Sequence, residues 1–132
     1  IQGKNAQAIA EWLNKQTKIE KVYFPGLLKE NDHQYMVFKR QCLSPGAMLS
    51  FDLKGGEKEA FRFLNNLKLI KLAVSLGSTE SLAEHPATMT HCDVSKETRD
   101  KMSITEKMIR LSVGVENVED IIWDIEQSLS FV

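Results

Sequence analysis

Lys107-Met108-Ile109-Arg110-Leu111-Ser112-Val113-Gly114 is the stretch on which the fold turns. It alternates like a strand. Met108, Arg110 and Ser112 share one face, and Ile109, Leu111 and Val113 share the other. One face reads as core. The other carries a lone guanidinium in the middle of an apolar strand. An unpaired buried charge costs several kcal/mol, so this group needs a partner. Its planar fork matches a carboxylate bidentately. That carboxylate belongs either to a neighbouring side chain or to a ligand, and the segment alone leaves both readings open.

Working outward, helical and extended patterns alternate around this strand. Asn5 to Lys15 carries Ala6, Ile9, Ala10 and Leu13 on one helical stripe, with Asn5 as its cap. Ile19 to Phe24 alternates and stops at Pro25-Gly26, a strand ended by a turn pair. Asp32 caps a helix over His33 to Arg40, which Ser44-Pro45-Gly46 breaks. Met48 to Leu53 reads as a strand. Lys54-Gly55-Gly56 then turns the chain into a helix over Glu57 to Leu67. Its acidic first turn suits the helix dipole. Leu69 to Val74 reads as a strand, Ser75 to Pro86 as a polar loop, and Ala87 to His91 as a short extended piece. A short helix opens at Ser95 and runs to Met102. Asn117 caps the last helix, Val118 to Leu129. Strands interleaved with helices predict an α+β layer, with helices packed on a small sheet.

The 132 residues suit one domain with its own core. Hydrophobic residues make up 42%, charged residues 27%, and the net charge is −1. That balance gives no electrostatic footprint for nucleic acid or an anionic membrane. No apolar run reaches the roughly 18–20 residues that span a bilayer. Ile1-Gln2-Gly3-Lys4-Asn5 has neither an initiator Met nor a secretory apolar core, so the chain reads as a piece of something longer. Cys42 and Cys92 form no CxxC and read as reduced thiols of a cytoplasmic protein.

Few residues look like a chemical engine. The loop from Val74 to Leu82 is rich in hydroxyls and follows a strand, a usual position for a site. Ser75 stands at the junction, where its hydroxyl either meets a ligand or closes a local turn. No G-x-S-x-G elbow supports a serine nucleophile. His91-Cys92-Asp93 places three ligand types in a row, but adjacent strand positions point to opposite faces. His85 precedes Pro86 and reads as a structural hydrogen-bonding group. The chain offers groups that position a substrate, without paired carboxylates or a Cys/His pair to act on it.

Several ordered motifs resemble one family. Ala73-Val74-Ser75-Leu76-Gly77, Glu80-Ser81-Leu82, His85-Pro86-Ala87, Met89-Thr90-His91 and Ile109-Arg110-Leu111-Ser112-Val113-Gly114 are similar to the C-terminal domain of the pyridoxal-phosphate (PLP)-dependent enzymes of Cys/Met metabolism. Asn5-Ala6, Ala10-Glu11, Tyr23-Phe24-Pro25-Gly26-Leu27, Pro45-Gly46 and Leu53-Lys54-Gly55-Gly56 fall in the matching order. The resemblance runs over essentially the whole chain.

It implies an α+β, sandwich-like fold: the small C-terminal domain of fold-type-I, aspartate-aminotransferase-like enzymes, a short sheet with helices on one side. Residues 1–132 would be that domain, without the cofactor-binding domain. By resemblance Arg110 binds the substrate's α-carboxylate, Ser75 helps to hold it, Thr90 lies close by, and Val74 is an apolar wall. The Schiff-base lysine and phosphate-binding residues belong upstream, so no catalytic, cofactor or metal residue is assigned here. PLP is expected in the full-length enzyme and not on this piece alone, which is expected to be inactive. The implied partners are the missing parts of the same chain, a homotetramer built as a dimer of dimers, and a sulfur amino acid. Val74 stands where cystathionine γ-lyases often have Glu. It resembles the methionine γ-lyase and sulfhydrylase branches, and the Lys71 to Gly77 run with His85-Pro86 tilts toward the former. The alternatives are O-acetylhomoserine sulfhydrylase or another cystathionine synthase or lyase of the same family and, from another class, a non-catalytic interaction domain. Met102-Ser103-Ile104 departs from the more usual Tyr-Gly-Ile, which puts a Gly-dependent turn in question.

Overall fold

The alternation around Arg110 decides how the layers stack. In the computed structural model, which describes residues 1–132, five strands form one mixed sheet. They are β1 (Ile19–Tyr23), β2 (Met48–Leu53), β3 (Lys71–Leu72), β4 (Leu82–Glu84) and β5 (Met108–Ser112). The order is β1-β2-β5-β4-β3, so β5 lies at the centre. It is antiparallel to β2 and to β4, and only β3 and β4 run parallel. Ile109 and Leu111 join Leu49, Phe51, Leu53 and Ala83 in one buried cluster. Three helices close that face: α1 (Gln2–Leu13), α3 (Glu57–Asn65) and α5 (Val118–Leu129). Each brings an apolar stripe at helical spacing: Ala6, Ile9, Ala10 and Leu13; Ala60, Phe63 and Leu64; Ile121, Ile125 and Leu129. Phe51 meets Phe63 edge to face at 5.6 Å, worth about 0.5–1.5 kcal/mol beyond burial. Two shorter helices, α2 (Tyr35–Gln41) and α4 (Lys96–Lys101), sit in the connections.

Several boundaries differ from expectation, each for a visible reason. Asn5 does not cap α1, which starts at Gln2. It is buried inside the helix, and its amide donates to the carbonyls of Gly114 (3.3 Å) and Glu116 (2.9 Å), tying α1 to the end of β5. The helix expected from His33 begins at Tyr35, and α3 ends at Asn65 rather than Leu67. The strand expected over Leu69 to Val74 shrinks to Lys71–Leu72. The buried carboxylate of Asp124 accepts from the N–H groups of Lys68, Leu69 and Ile70 at 2.8–2.9 Å, so these residues bind a side chain and not a strand. The expected loop from Ser75 to Pro86 contains β4. Residues 87–91 are a turn rather than an extended piece. Met89 N–H returns to the His85 carbonyl, and His91 N–H returns to that of Pro86.

The segment Met102-Ser103-Ile104 ends α4 in a left-handed turn. Ser103 has φ 60°. Ile104 N–H donates to the Arg99 carbonyl and Ser103 N–H to that of Asp100, the double closure of a Schellman motif. The turn forms although its left-handed residue has a Cβ. Because that conformation costs an L-residue roughly 1–2 kcal/mol, Ser103→Gly is expected to raise unfolding stability by about 1 kcal/mol. A urea titration of the 132-residue chain reads this as a higher midpoint at unchanged slope.

Candidate functional site

The polar face of β5 collects the residues singled out in the sequence. In register, Arg110 stands opposite Ser50 of β2 and Glu84 of β4. The chain leaving β3 crosses beside it. The guanidinium Nη1 donates to Oε1 of Glu84 at 2.8 Å, while Nη2 donates to the carbonyls of Val74 (2.9 Å) and Ser75 (3.3 Å). Internal partners thus engage both terminal nitrogens of the fork, a carboxylate at Nη1 and backbone carbonyls at Nη2. These three contacts occupy at most three of the five N–H donors of an arginine, and its side chain remains 21% exposed. Ser75 is exposed, and its hydroxyl makes no hydrogen bond within the chain. Arg110 and Ser75 are therefore brought together. Val74 is 53% exposed beside them.

The loop carrying Val74 and Ser75 is anchored on both sides. Gly77 turns it at φ 75°, the region only glycine enters freely, and its N–H donates to Oγ of Ser112 at 2.9 Å. Gln2 donates to the carbonyls of Ser78 and Val113, and Val115 N–H to that of Thr79. Ser81 gives both its N–H (2.6 Å) and its hydroxyl (2.9 Å) to the carboxylate of Glu116, and Gly114 N–H donates back to Oγ of Ser81. A Cβ on Gly114 would collide with the Thr79 carbonyl and the Glu116 carboxylate, so glycine there permits the close approach.

Thr90 stands one step from the guanidinium. Its hydroxyl donates to Oε1 of Glu84 at 3.2 Å and contacts Nδ1 of His91 at 2.9 Å. The turn bearing it is clamped by Arg99, whose Nη1 donates to the carbonyls of Ala87, His91 and Val94. His85 fills the structural role expected of it. It is fully buried, with Nε2 donating to the Glu106 carbonyl and Nδ1 hydrogen-bonded to the Thr88 hydroxyl, both at 2.7 Å. His91, Cys92 and Asp93 do not converge. His91 binds Thr90, and the Cys92 thiol reaches the Met89 carbonyl. Sequence reasoning missed Glu84, Arg99 and Glu116. No alternation singled out Glu84, because β4 is three residues long and all three are buried.

Comparison with known proteins converges on one answer. The family described as Cys/Met metabolism PLP-dependent enzymes matches residues 1–130. The chain belongs to that family. It is 56% identical over 126 residues to an L-methionine gamma-lyase of Fusobacterium nucleatum subsp. nucleatum, covering 96% of this chain and 31% of that protein. It is 47% identical over 126 residues to the cystathionine gamma-lyase of Homo sapiens, with coverage of 96% and 31%. The crystal structure of the cystathione gamma lyase CalE6 from Micromonospora echinospora superposes with a TM-score of 0.90 at 40% identity, covering 98% of this chain and 33% of that one. The fold is therefore the small α+β domain of fold-type-I PLP lyases, and the chain spans about a third of the length of the curated relatives it matches. No helix is long and apolar enough to cross a membrane.

A second polar cluster lies on the same face of the sheet in this family member. Asp52, buried on β2, accepts from the Tyr23 hydroxyl (2.8 Å) and the Thr105 hydroxyl (2.7 Å). Burial, then the hydrogen bond and charge of Asp52, push the Tyr23 phenol up to about 12. A phenol whose folded pKa exceeds its unfolded value near 10 favours the fold fully below pH ~10 and loses that contribution as pH rises toward 12. In an absorbance titration, one tyrosinate step near pH 12 is expected, and Tyr23→Phe should abolish it. Between pH ~10 and ~12 the parent chain should lose stability more steeply than that variant.

Proposed function

We propose that these 132 residues are the C-terminal, substrate-carboxylate-binding domain of a PLP-dependent carbon–sulfur lyase. Its substrate is most consistent with L-methionine, converted to methanethiol, 2-oxobutanoate and ammonia. The observation that carries this reading is Arg110: a guanidinium on the central strand, partly exposed, with donors left over and a free Ser75 hydroxyl at its side. That donor set suits an anionic carboxylate. Thr90 supports the site through Glu84, and Val74 offers an apolar wall to the substrate's thioether side. Identities of 50–56% to three L-methionine gamma-lyases, against 44–47% to three cystathionine gamma-lyases, favour methionine, while two Pseudomonas L-methionine gamma-lyases fall in the lower range at 45–46%.

None of the polar contacts of Arg110, Ser75, Glu84 or Thr90 involves a lysine, and no residue of this chain is assigned to the cofactor. PLP, held by other parts of the enzyme, supplies the electron sink for chemistry at the α-carbon. What this domain contributes is orientation. Holding the carboxylate by two fixed groups leaves the α-hydrogen and the thioether pointing in set directions. The remaining parts of the same polypeptide, and a homotetramer assembled as a dimer of dimers, complete the enzyme in this reading. Met36, Leu43, Leu72, Val74 and Leu76 are all more than half exposed, which suits a domain with surfaces to be covered.

In the full-length enzyme, Arg110→Ala is expected to lower kcat/KM for methionine by about 10- to 150-fold, the worth of a charge-assisted hydrogen bond of about 1.5–3 kcal/mol, chiefly through KM. Near-parental kinetics would remove the assignment. Offering methionine in one assay and O-acetylhomoserine with sulfide in another ranks the two chemistries. Faster turnover of the second pair would replace the methionine reading with the sulfhydrylase one.

A further inference from the structure

We propose that Glu84 is a positioning residue for the carboxylate clamp, an inference that rests on the reading of Arg110 given above. Glu84 is fully buried. Strand register sets it directly beside Arg110, so their ion pair is a cross-strand pair between the central strand and its neighbour. One oxygen does all its polar work: Oε1 accepts from Nη1 of Arg110 at 2.8 Å and from the Thr90 hydroxyl at 3.2 Å. The other, Oε2, is buried without a partner.

A half-satisfied buried carboxylate is a poor device for stability, because desolvation offsets the attraction and the orphaned oxygen adds a further cost. It is a good device for direction. Arginine ends in a rigid planar fork on a flexible stem. Here the fork is held at two corners, Nη1 by Glu84 and Nη2 by the carbonyls of Val74 and Ser75. These two points, with the covalent stem as the third, fix the plane, and with it the direction of the donors that remain free. Thr90, itself placed by the turn that Arg99 clamps, sets the rotamer of Glu84. The chain Arg99, Thr90, Glu84, Arg110 thus carries positional information from an exposed turn to the substrate's acid group. Because Glu84 also brings a negative charge to the clamp, its geometric and electrostatic effects on a carboxylate ligand oppose one another. An amide oxygen in its place retains the first and removes the second.

The test compares Glu84→Ala, Glu84→Gln and Arg110→Ala in the full-length PLP-loaded enzyme. The probes are desamino-methionine, which has the carboxylate but no amine to react with the cofactor, and its primary amide. Calorimetry gives the affinity ratio of acid to amide for each protein. Loss of fold or of general packing moves both affinities together and leaves the ratio alone. Glu84→Ala is expected to cut the ratio by about tenfold or more through misorientation of the fork. Glu84→Gln, which retains an acceptor for Nη1 and Thr90, is expected to keep the ratio at or above the parental value. Arg110→Ala should collapse it. If Arg110→Ala collapses the ratio while Glu84→Ala leaves it unchanged, the clamp stands and the positioning role is overturned. If Arg110→Ala leaves it unchanged, the clamp itself is wrong and this inference goes with it. A fall in Glu84→Gln as deep as in Glu84→Ala would also overturn it, since an acceptor held in that place would then not be what keeps the ratio up.

Discussion

A permanently charged side chain on the central strand of a five-stranded sheet constrains everything near it. Arg110 cannot be neutralised by losing a proton, and it stands on the face opposite the apolar core. The fold answers with Glu84 on one neighbouring strand and the carbonyls of Val74 and Ser75 from the passing loop. Breaking such a partly buried pair from one side leaves the other charge stranded, at a cost of about 3–5 kcal/mol. The two residues therefore stand or fall together, and their strand register is held by more than backbone hydrogen bonds.

The same constraint explains the polar stitching around the loop from Val74 to Ser81. Carbonyls that serve a guanidinium must be held still. The loop is tied at Gly77 to Ser112, at Ser81 to Glu116, and at Ser78 to Gln2. Each tie reaches β5, the segment just after it, or the start of α1. The helix layer also takes part: Asn5 of α1 reaches the carbonyls of Gly114 and Glu116, and Asp124 of α5 gathers the N–H groups ahead of β3. Buried polar side chains on amphipathic helices here act as caps and latches for the strand ends that carry the site.

The long, strongly periodic elements were legible in the sequence. Met48 to Leu53 and Val118 to Leu129 occupy the residues their alternation or capping predicts, and β5 lies within the alternating run from Lys107 to Gly114. Arg110 and Ser75 were visible as a charge out of place and a hydroxyl at a strand end, and they do lie together. What failed were short elements whose backbone partners are side chains distant in sequence. β3 lost residues to Asp124, more than 50 positions away, and β4 is too short to show a period. Glu84 went unread because it follows a stretch that looks like loop, and only pairing with β5 makes it a strand residue.

Residue order alone was enough to specify an apolar face, a polar face, the ends of the longer helices and a guanidinium in need of an anion. These follow from local periodicity and from chemistry intrinsic to single side chains. Which anion meets it, and from which direction, emerged only when β4 was laid beside β5. That choice depends on contacts between segments 26 residues apart in the chain, set by register and by where a buried carboxylate can find donors, and no local pattern encodes either.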